Sequence, residues 1–302
     1  MNTVLKCATT SLCVLALVLA VMLPSATAEK SVTVGGKNFT EQYILAELAG
    51  ILLEQNGFDV TLKTGVGTNI ARQSLENEQI DLYYEYTGTA YTLFYEQDDQ
   101  EIMSDPNKVY QWVKEADAKK GLIWLKPVKF NNTYTLMMRK DHADQLGIVS
   151  IADLSSHVSD NPDDLVFGVG SEFWERPDGF KALMKTYGLR IPPGQVKKMS
   201  LGLTYKALLE GQVDVAMGFA TDGRIAAFGL VNLEDDKSFF PVYNPCPVVR
   251  KEVLDKYPGI RDALNPLAGA ISTEDMQQMN KAVDVDHKEE RAVAEQFIEE
   301  NL

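Results

Sequence analysis

Two short segments carry the residues best suited to chemistry. The first, Val34-Gly-Gly-Lys-Asn-Phe-Thr-Glu-Gln42, reads as a strand, a glycine-turned loop and a helix start, with one cation, Lys37, in the loop. The second, Tyr83-Tyr-Glu-Tyr-Thr-Gly-Thr-Ala90, reads as a strand end crowded with tyrosines and opening at Gly88. A lysine beside aromatic faces suits a small ligand that carries a carboxylate and a bulky, poorly hydrated cation. A quaternary ammonium has no N–H to donate, so a carboxylate selects it little better than water does. Ring faces attract it through their quadrupole, at roughly 0.5 to 2 kcal/mol each as desolvation increases.

Signals for catalysis are sparse. The three histidines, His142, His157 and His287, sit among charged or loop residues and read as solvated surface groups. His-x-x-x-His, Cys-x-x-Cys and Gly-x-Ser-x-Gly patterns do not occur, so neither a metal site nor a catalytic residue is expected. Gly35-Gly36 is no phosphate loop. Gly65-Val-Gly67 lacks the third glycine of a dinucleotide fingerprint, and no cofactor is expected.

The elements that must position these residues follow from periodicity. Strands are expected over Ser31–Val34, Val60–Lys63 and Ile80–Tyr84. Helices are expected over Glu41–Asn56, stopped by Gly57, and Asn69–Asn77. The same order recurs downstream. A strand over Leu165–Val169 leads to a loop with Arg176-Pro-Asp-Gly179 and a helix over Phe180–Tyr187. A strand over Val196–Met199, a helix over Thr204–Glu210 and a strand over Val213–Met217 follow. Leu75-Glu-Asn-Glu-Gln-Ile-Asp-Leu82 aligns with Leu208-Leu-Glu-Gly-Gln-Val-Asp-Val215 as a pseudo-repeat. Alternating strands and helices argue for parallel sheets covered on both faces.

Two such α/β lobes bring strand ends and helix N-termini to a shared cleft, where open α/β sheets bind ligands. Lys37 and Arg176 fall in equivalent first loops, and Tyr86 and Phe219 in equivalent third-strand loops. For the two cations two readings stand: anion ligands at helix starts, or a surface lysine and an arginine paired with Asp178. Of Tyr83, Tyr84, Tyr86, Tyr91, Tyr134, Phe219 and Tyr243, core packing should claim most. Tyr86, Tyr134, Phe219 and Tyr243, at strand ends or crossings, are free to line a cleft. The extended runs Phe130–Arg139 and Phe239–Pro247 read as the two crossings between lobes. The tail from Thr273 reads as helical, with Met276, Met279, Val283, Val293 and Phe297 as packing residues.

Charge and termini bound the setting. The 302-residue chain carries a formal net charge of −14, which lacks the basic footprint nucleic acid requires. Lys6, an apolar run from Cys7 to Leu23 and Ala26-Thr27-Ala28 read as a signal peptide over residues 1–28, cleaved after Ala28. The mature chain is therefore expected to be exported. Cys7 and Cys13 fall in that segment, which leaves Cys246 as a small buried apolar residue.

At four motifs the chain resembles a known family. They are Gly-Lys-Asn-Phe-Thr-Glu-Gln (36–42), Glu-Tyr-Thr-Gly-Thr-Ala-Tyr (85–91), Arg-Pro-Asp-Gly (176–179) and Thr-Asp-Gly-Arg (221–224). The chain is similar to the periplasmic substrate-binding proteins of ABC transporters for glycine betaine, choline and carnitine, in the branch related to the archaeal glycine betaine/proline betaine-binding protein. The resemblance runs from about Ser31 to the C-terminus. It implies a type II periplasmic-binding-protein fold, α/β, with two lobes joined by two crossings. Lobe 1 would be 29–131 with 242–302, and lobe 2 would be 132–241. It implies that Tyr86, Tyr134 and Tyr243 cage a trimethylammonium group, that Lys37, Thr89 and Arg176 bind the carboxylate, and that the Asn132 backbone carbonyl faces the cation. Phe219 stands where the archaeal relative has a fourth cage tyrosine. The expected role is a non-enzymatic monomeric receptor that delivers a quaternary ammonium ligand to the permease and ATPase of an importer. A choline- or carnitine-preferring receptor is the alternative, and an exported enzyme or a sensor-coupled domain are the lesser ones.

Overall fold

Strand, helix, strand, helix, strand is the order at the start of the computed structural model, which describes residues 30–302. It comprises β1 (Lys30–Lys37), α1 (Thr40–Gln55), β2 (Phe58–Val66), α2 (Thr68–Glu76) and β3 (Leu82–Tyr86). The signal segment expected over residues 1–28 lies outside the described residues. After β4 (Leu122–Trp124) the chain crosses into β5 (Tyr134–Arg139) and repeats the pattern with β6 (Phe167–Gly170), β7 (Val196–Met199) and β8 (Val215–Phe219). Strand β9 (Leu230–Asn232) precedes the return crossing, which ends in β10 (Pro245–Arg250).

The strands form two five-stranded sheets, ordered β2-β1-β3-β10-β4 and β7-β6-β8-β5-β9. The two orders match position for position. The expected all-parallel sheets are corrected to mixed ones. Strand β1 runs parallel to β3, and β6 runs parallel to β7 and β8. By contrast β10 is antiparallel to β3 and β4, and β5 to β8 and β9. The cause is the crossings. Strands β5 and β10 arrive from the other half of the molecule without a covering helix, so they can pair beside the third strand in the opposite sense.

The repeated Gln-apolar-Asp motif does the same work twice. Asp81 N–H donates to the Thr33 carbonyl, and its carboxylate accepts from Thr33 N–H at 2.7 Å and Arg250 Nη2 at 2.8 Å. Asp214 N–H donates to the Val166 carbonyl, and its carboxylate accepts from Val166 N–H at 3.0 Å and Arg139 Nη2 at 3.2 Å. Each aspartate thus pins the first strand of its sheet to the end of the crossing strand. It also starts the third strand one residue later, so β3 and β8 each lie two residues C-terminal to expectation. Tyr86 and Phe219 are therefore final strand residues rather than loop residues.

Strand alternation splits the side chains between two faces. Tyr84 and Val34 pack with Ile44, Leu45 and Leu48 of α1 and with Met276 and Phe297 of the C-terminal helices. Tyr83 and Trp124 pack on the opposite face with Ala71 and Leu75 of α2. In the second sheet, Leu136 and Met138 meet Phe180 and Leu183, whereas Met137 and Ala216 meet Tyr205 and Leu208. Both sheets are covered on both sides. The C-terminal helices Thr273–Asp284 and Glu290–Asn301 bury Met276, Met279, Val293 and Phe297, with Val283 only partly buried. Cys246 is buried in β10. Two histidines differ from the solvated reading: His142 lies 3.6 Å from Asp214 and His157 lies 2.8 Å from Asp164. Among the described residues no helix is long and apolar enough to cross a membrane.

Candidate functional site

The ends of β1, β3 and β8 and both crossings open onto one cavity of about 500 Å³, a volume typical of small-molecule sites. Lys37, Tyr86, Thr89, Asn132, Tyr134, Phe219 and Tyr243 line it. Arg176 does not. It is buried behind Tyr134, with its guanidinium 5.6 Å from that ring centre.

The rings reach the cavity by distinct routes. Tyr134 and Phe219 are register partners across β5 and β8, and their ring centres lie 5.1 Å apart. Tyr243 arrives on the return crossing and meets Tyr134 edge-on at 5.6 Å. Gly88 makes room for it, because a Cβ there would sit 2.8 Å from Tyr243 Cδ1 and 2.9 Å from Pro241. Two further rings escaped the sequence reading. Phe39, inside the first motif, lies 6.2 Å from Tyr86 and 5.1 Å from Phe219, so it joins the rings of the two sheets. Phe173 stacks on Tyr134 at 4.6 Å. Motif membership was the available signal for Phe39, which lies between the end of β1 and the start of α1.

The charged groups differ more from expectation. Lys37 is the last residue of a strand, not a loop cation, and is only 2% exposed. Its ammonium donates to Glu85 Oε1 at 2.5 Å and lies 5.0 Å from the Tyr86 ring centre. Burial pulls the Lys37 amine below its ordinary pKa, and the Glu85 carboxylate opposes that pull. Glu85 also accepts from the Tyr83 hydroxyl and from Tyr86 N–H, each at 2.7 Å. Tyr83 and Glu85 are two positions apart on β3, so both point to the same face.

Arg176 forms the pairing that its neighbour Asp178 offered. Its Nε and Nη2 donate to the two Asp178 oxygens at 2.8 and 2.5 Å. Burial alone would raise the Asp178 pKa, but the guanidinium holds it below the usual carboxylate range. Thr92, from the first-sheet half, donates to the same carboxylate at 2.5 Å. Gly179 closes the turn, since a Cβ there would overlap the Phe173 carbonyl oxygen. Lys37 and Arg176 are not positional equivalents. Lys37 ends β1, whereas Arg176 follows a further helix, Ser171–Glu175, after β6. That helix adds Glu172 to the cavity wall, a carboxylate the sequence reading did not single out.

Two mixed sheets of matching order, joined by two crossings around an aromatic cavity, define the class of type II periplasmic binding proteins. The chain belongs within it to the family of substrate-binding domains of ABC-type glycine betaine transport systems (OpuAC), whose profile matches residues 30–300. It is 37% identical over 277 residues to a glycine-betaine-binding protein of Pseudomonas aeruginosa, covering 90% of this chain and 88% of that one. It is 32% identical over 293 residues to the glycine betaine-binding protein YehZ of Escherichia coli, covering 95% of each. A crystal structure described as a glycine betaine/carnitine/choline ABC transporter superposes with a TM-score of 0.73 at 32% identity. That match covers 89% of this chain and 98% of the other. The family is one of transport substrate-binding domains, not of enzymes.

Proposed function

We propose that this chain is an extracytoplasmic receptor that holds glycine betaine, or a similar quaternary-ammonium zwitterion, and delivers it to the permease and ATPase of an ABC importer. The observation that carries this reading is the ring of Tyr86, Tyr134, Phe219 and Tyr243 around one cavity, with Lys37 on the same wall. The rings would surround the trimethylammonium group, and Lys37 and Thr89 would meet the carboxylate. Arg176 would act through Tyr134, which it backs, unless a ligand draws it forward. In this reading residues 29–131 with 242–302 form one lobe, 132–241 form the other, and the protein works as a periplasmic monomer.

One observation favours a second ligand within the same class. Lys37 and Arg176 are each paired with an acid, and Glu172 adds an exposed carboxylate at the wall. That balance suits choline, which has no carboxylate, better than two free cations would. Calorimetric titration of the ligand-free protein with betaine, proline betaine, carnitine and choline tests both readings. Binding of at least one is expected, with Tyr134→Ala losing it. Silence of all four at millimolar concentration would refute the class, and a choline preference would select the second reading.

A further inference from the structure

Glu41 lies outside the residues assigned above, yet it touches three parts of the binding apparatus. It sits in the first turn of α1 and is 2% exposed. Its Oε1 accepts from the Tyr86 hydroxyl at 2.6 Å and from Asn132 Nδ2 at 2.8 Å, and its Oε2 accepts from Thr221 Oγ1 at 2.6 Å. One carboxylate therefore ties a cavity ring of the first sheet, the outgoing crossing and the segment after β8.

The direction of the Tyr86 hydrogen bond is fixed by its neighbours. Gln42 Oε1 accepts from Lys37 N–H at 3.1 Å, which turns the amide nitrogen of Gln42 toward the Tyr86 hydroxyl, also at 3.1 Å. With that donor on the phenol oxygen, the phenol proton points to Glu41. A phenol that donates to a carboxylate gains electron density in its ring, and a richer π face attracts a quaternary ammonium more strongly.

We infer that Glu41 is a positioning residue for the ligand, which orients the Tyr86 ring and strengthens its attraction for the cation through the phenol hydrogen bond. This rests on the quaternary-ammonium reading of the cavity. A ligand cation over Tyr86 favours the ionised form of Glu41, so the complex holds fewer protons than the free protein. Burial pushes the Glu41 pKa up to about 7, against the opposing hydrogen bonds from Thr221, Tyr86 and Asn132. Affinity should therefore rise as pH rises through that value and level off above it. Glycine betaine has no group that titrates near neutral pH, so the dependence belongs to the protein.

Other charged or titratable groups face the same region. Tyr43, Asp222, Arg224 and Asp284 line a smaller cavity of about 170 Å³ beside Glu41, and Lys37, paired with Glu85, lies 5.0 Å from the Tyr86 ring centre. Arg224 pairs with Asp222 at 2.5 Å and with Asp284 at 3.3 Å. Burial also raises the Asp284 carboxyl above its usual range, so Asp284→Asn is the control.

Titration with glycine betaine, choline and carnitine from about pH 6 to about pH 8 tests the inference. The expected result is an affinity gain of roughly threefold to tenfold across that range in the natural protein and in Asp284→Asn. Glu41→Gln should bind more weakly and with a flat profile. Tyr86→Phe, which keeps the ring and removes the hydroxyl, should flatten the profile too, so a poorly folded Glu41→Gln would not spoil the test. Binding by the natural protein that is flat across this range would overturn the inference while leaving the ligand class intact, as would a full slope retained in Tyr86→Phe. No binding of any of the three ligands would overturn the ligand reading and this inference with it.

Discussion

A lysine amine 2.5 Å from Glu85 presents less net charge to an incoming carboxylate than a free ammonium would. What it would retain toward a ligand is a fixed N–H direction, with its charge partly offset by Glu85. Both members of this pair are almost wholly buried, and such pairs contribute little net stability when intact yet cost a great deal when one partner is removed. Lys37→Met should accordingly destabilise the fold by about 3 kcal/mol or more, because Glu85 is left buried with no cation. The double variant Lys37→Met/Glu85→Gln should recover most of that loss while still binding a zwitterion poorly. Denaturant melts of the two variants, read beside their ligand titrations, separate the structural from the ligand-directed role. A double variant as unstable as the single one would show that Glu85 is not what Lys37 protects. The pair was hidden in the sequence for a simple reason: 48 positions separate its members. Glu41 and Thr221, 180 positions apart, were hidden in the same way.

The elements were more legible than their pairing. Helix Phe180–Tyr187 and strand Val196–Met199 lie where periodicity and Gly188 predict them, because local turn chemistry sets those boundaries. Tyr86, Tyr134 and Phe219 could be marked as cavity rings from their places at strand ends, and Tyr243 from its place on a crossing. The antiparallel insertion of β5 and β10 was not legible, since no local signal says which half of the molecule a crossing strand joins. The twin aspartates lie between these cases: their motif was visible as a repeat, but its work was not. Each holds a first strand and an arginine at the end of a crossing strand, and each is about one-fifth exposed. Asp81→Ala and Asp214→Ala should each destabilise the protein by about 1 to 3 kcal/mol, the range for stranding a buried donor and losing charged hydrogen bonds. Ligand affinity at saturating fold should change little, since neither residue lines the cavity. Urea titration measures the first, and calorimetry below the unfolding midpoint measures the second. A loss within experimental error in both variants would leave the repeat without a mechanical meaning.

At the scale of the whole molecule, the cavity walls come from both sheets, and residues 31–302 form one compact unit. Ties between the two sheet halves are spread rather than confined to the crossings. Glu41 reaches Thr221, Thr92 reaches Asp178, and the C-terminal helix Thr273–Asp284 donates from Gln277 and Asn280 to the Ala220 and Thr221 carbonyls. A ligand bound among these ties stabilises both halves together, whereas a ligand held by one sheet would stabilise that sheet alone. The gain follows from mass action: about 2.7 kcal/mol when free ligand is a hundred times its dissociation constant. For a chain of this size that corresponds to an upward shift in melting temperature of about 5 °C, set by the unfolding entropy. Differential scanning calorimetry should show a single transition that moves up as a unit on adding the bound ligand. In Tyr134→Ala the transition should stay where it is at the same ligand concentration. Two transitions, with one moving and the other fixed, would mean that the ligand is held by one sheet and that the facing half of the aromatic ring is idle.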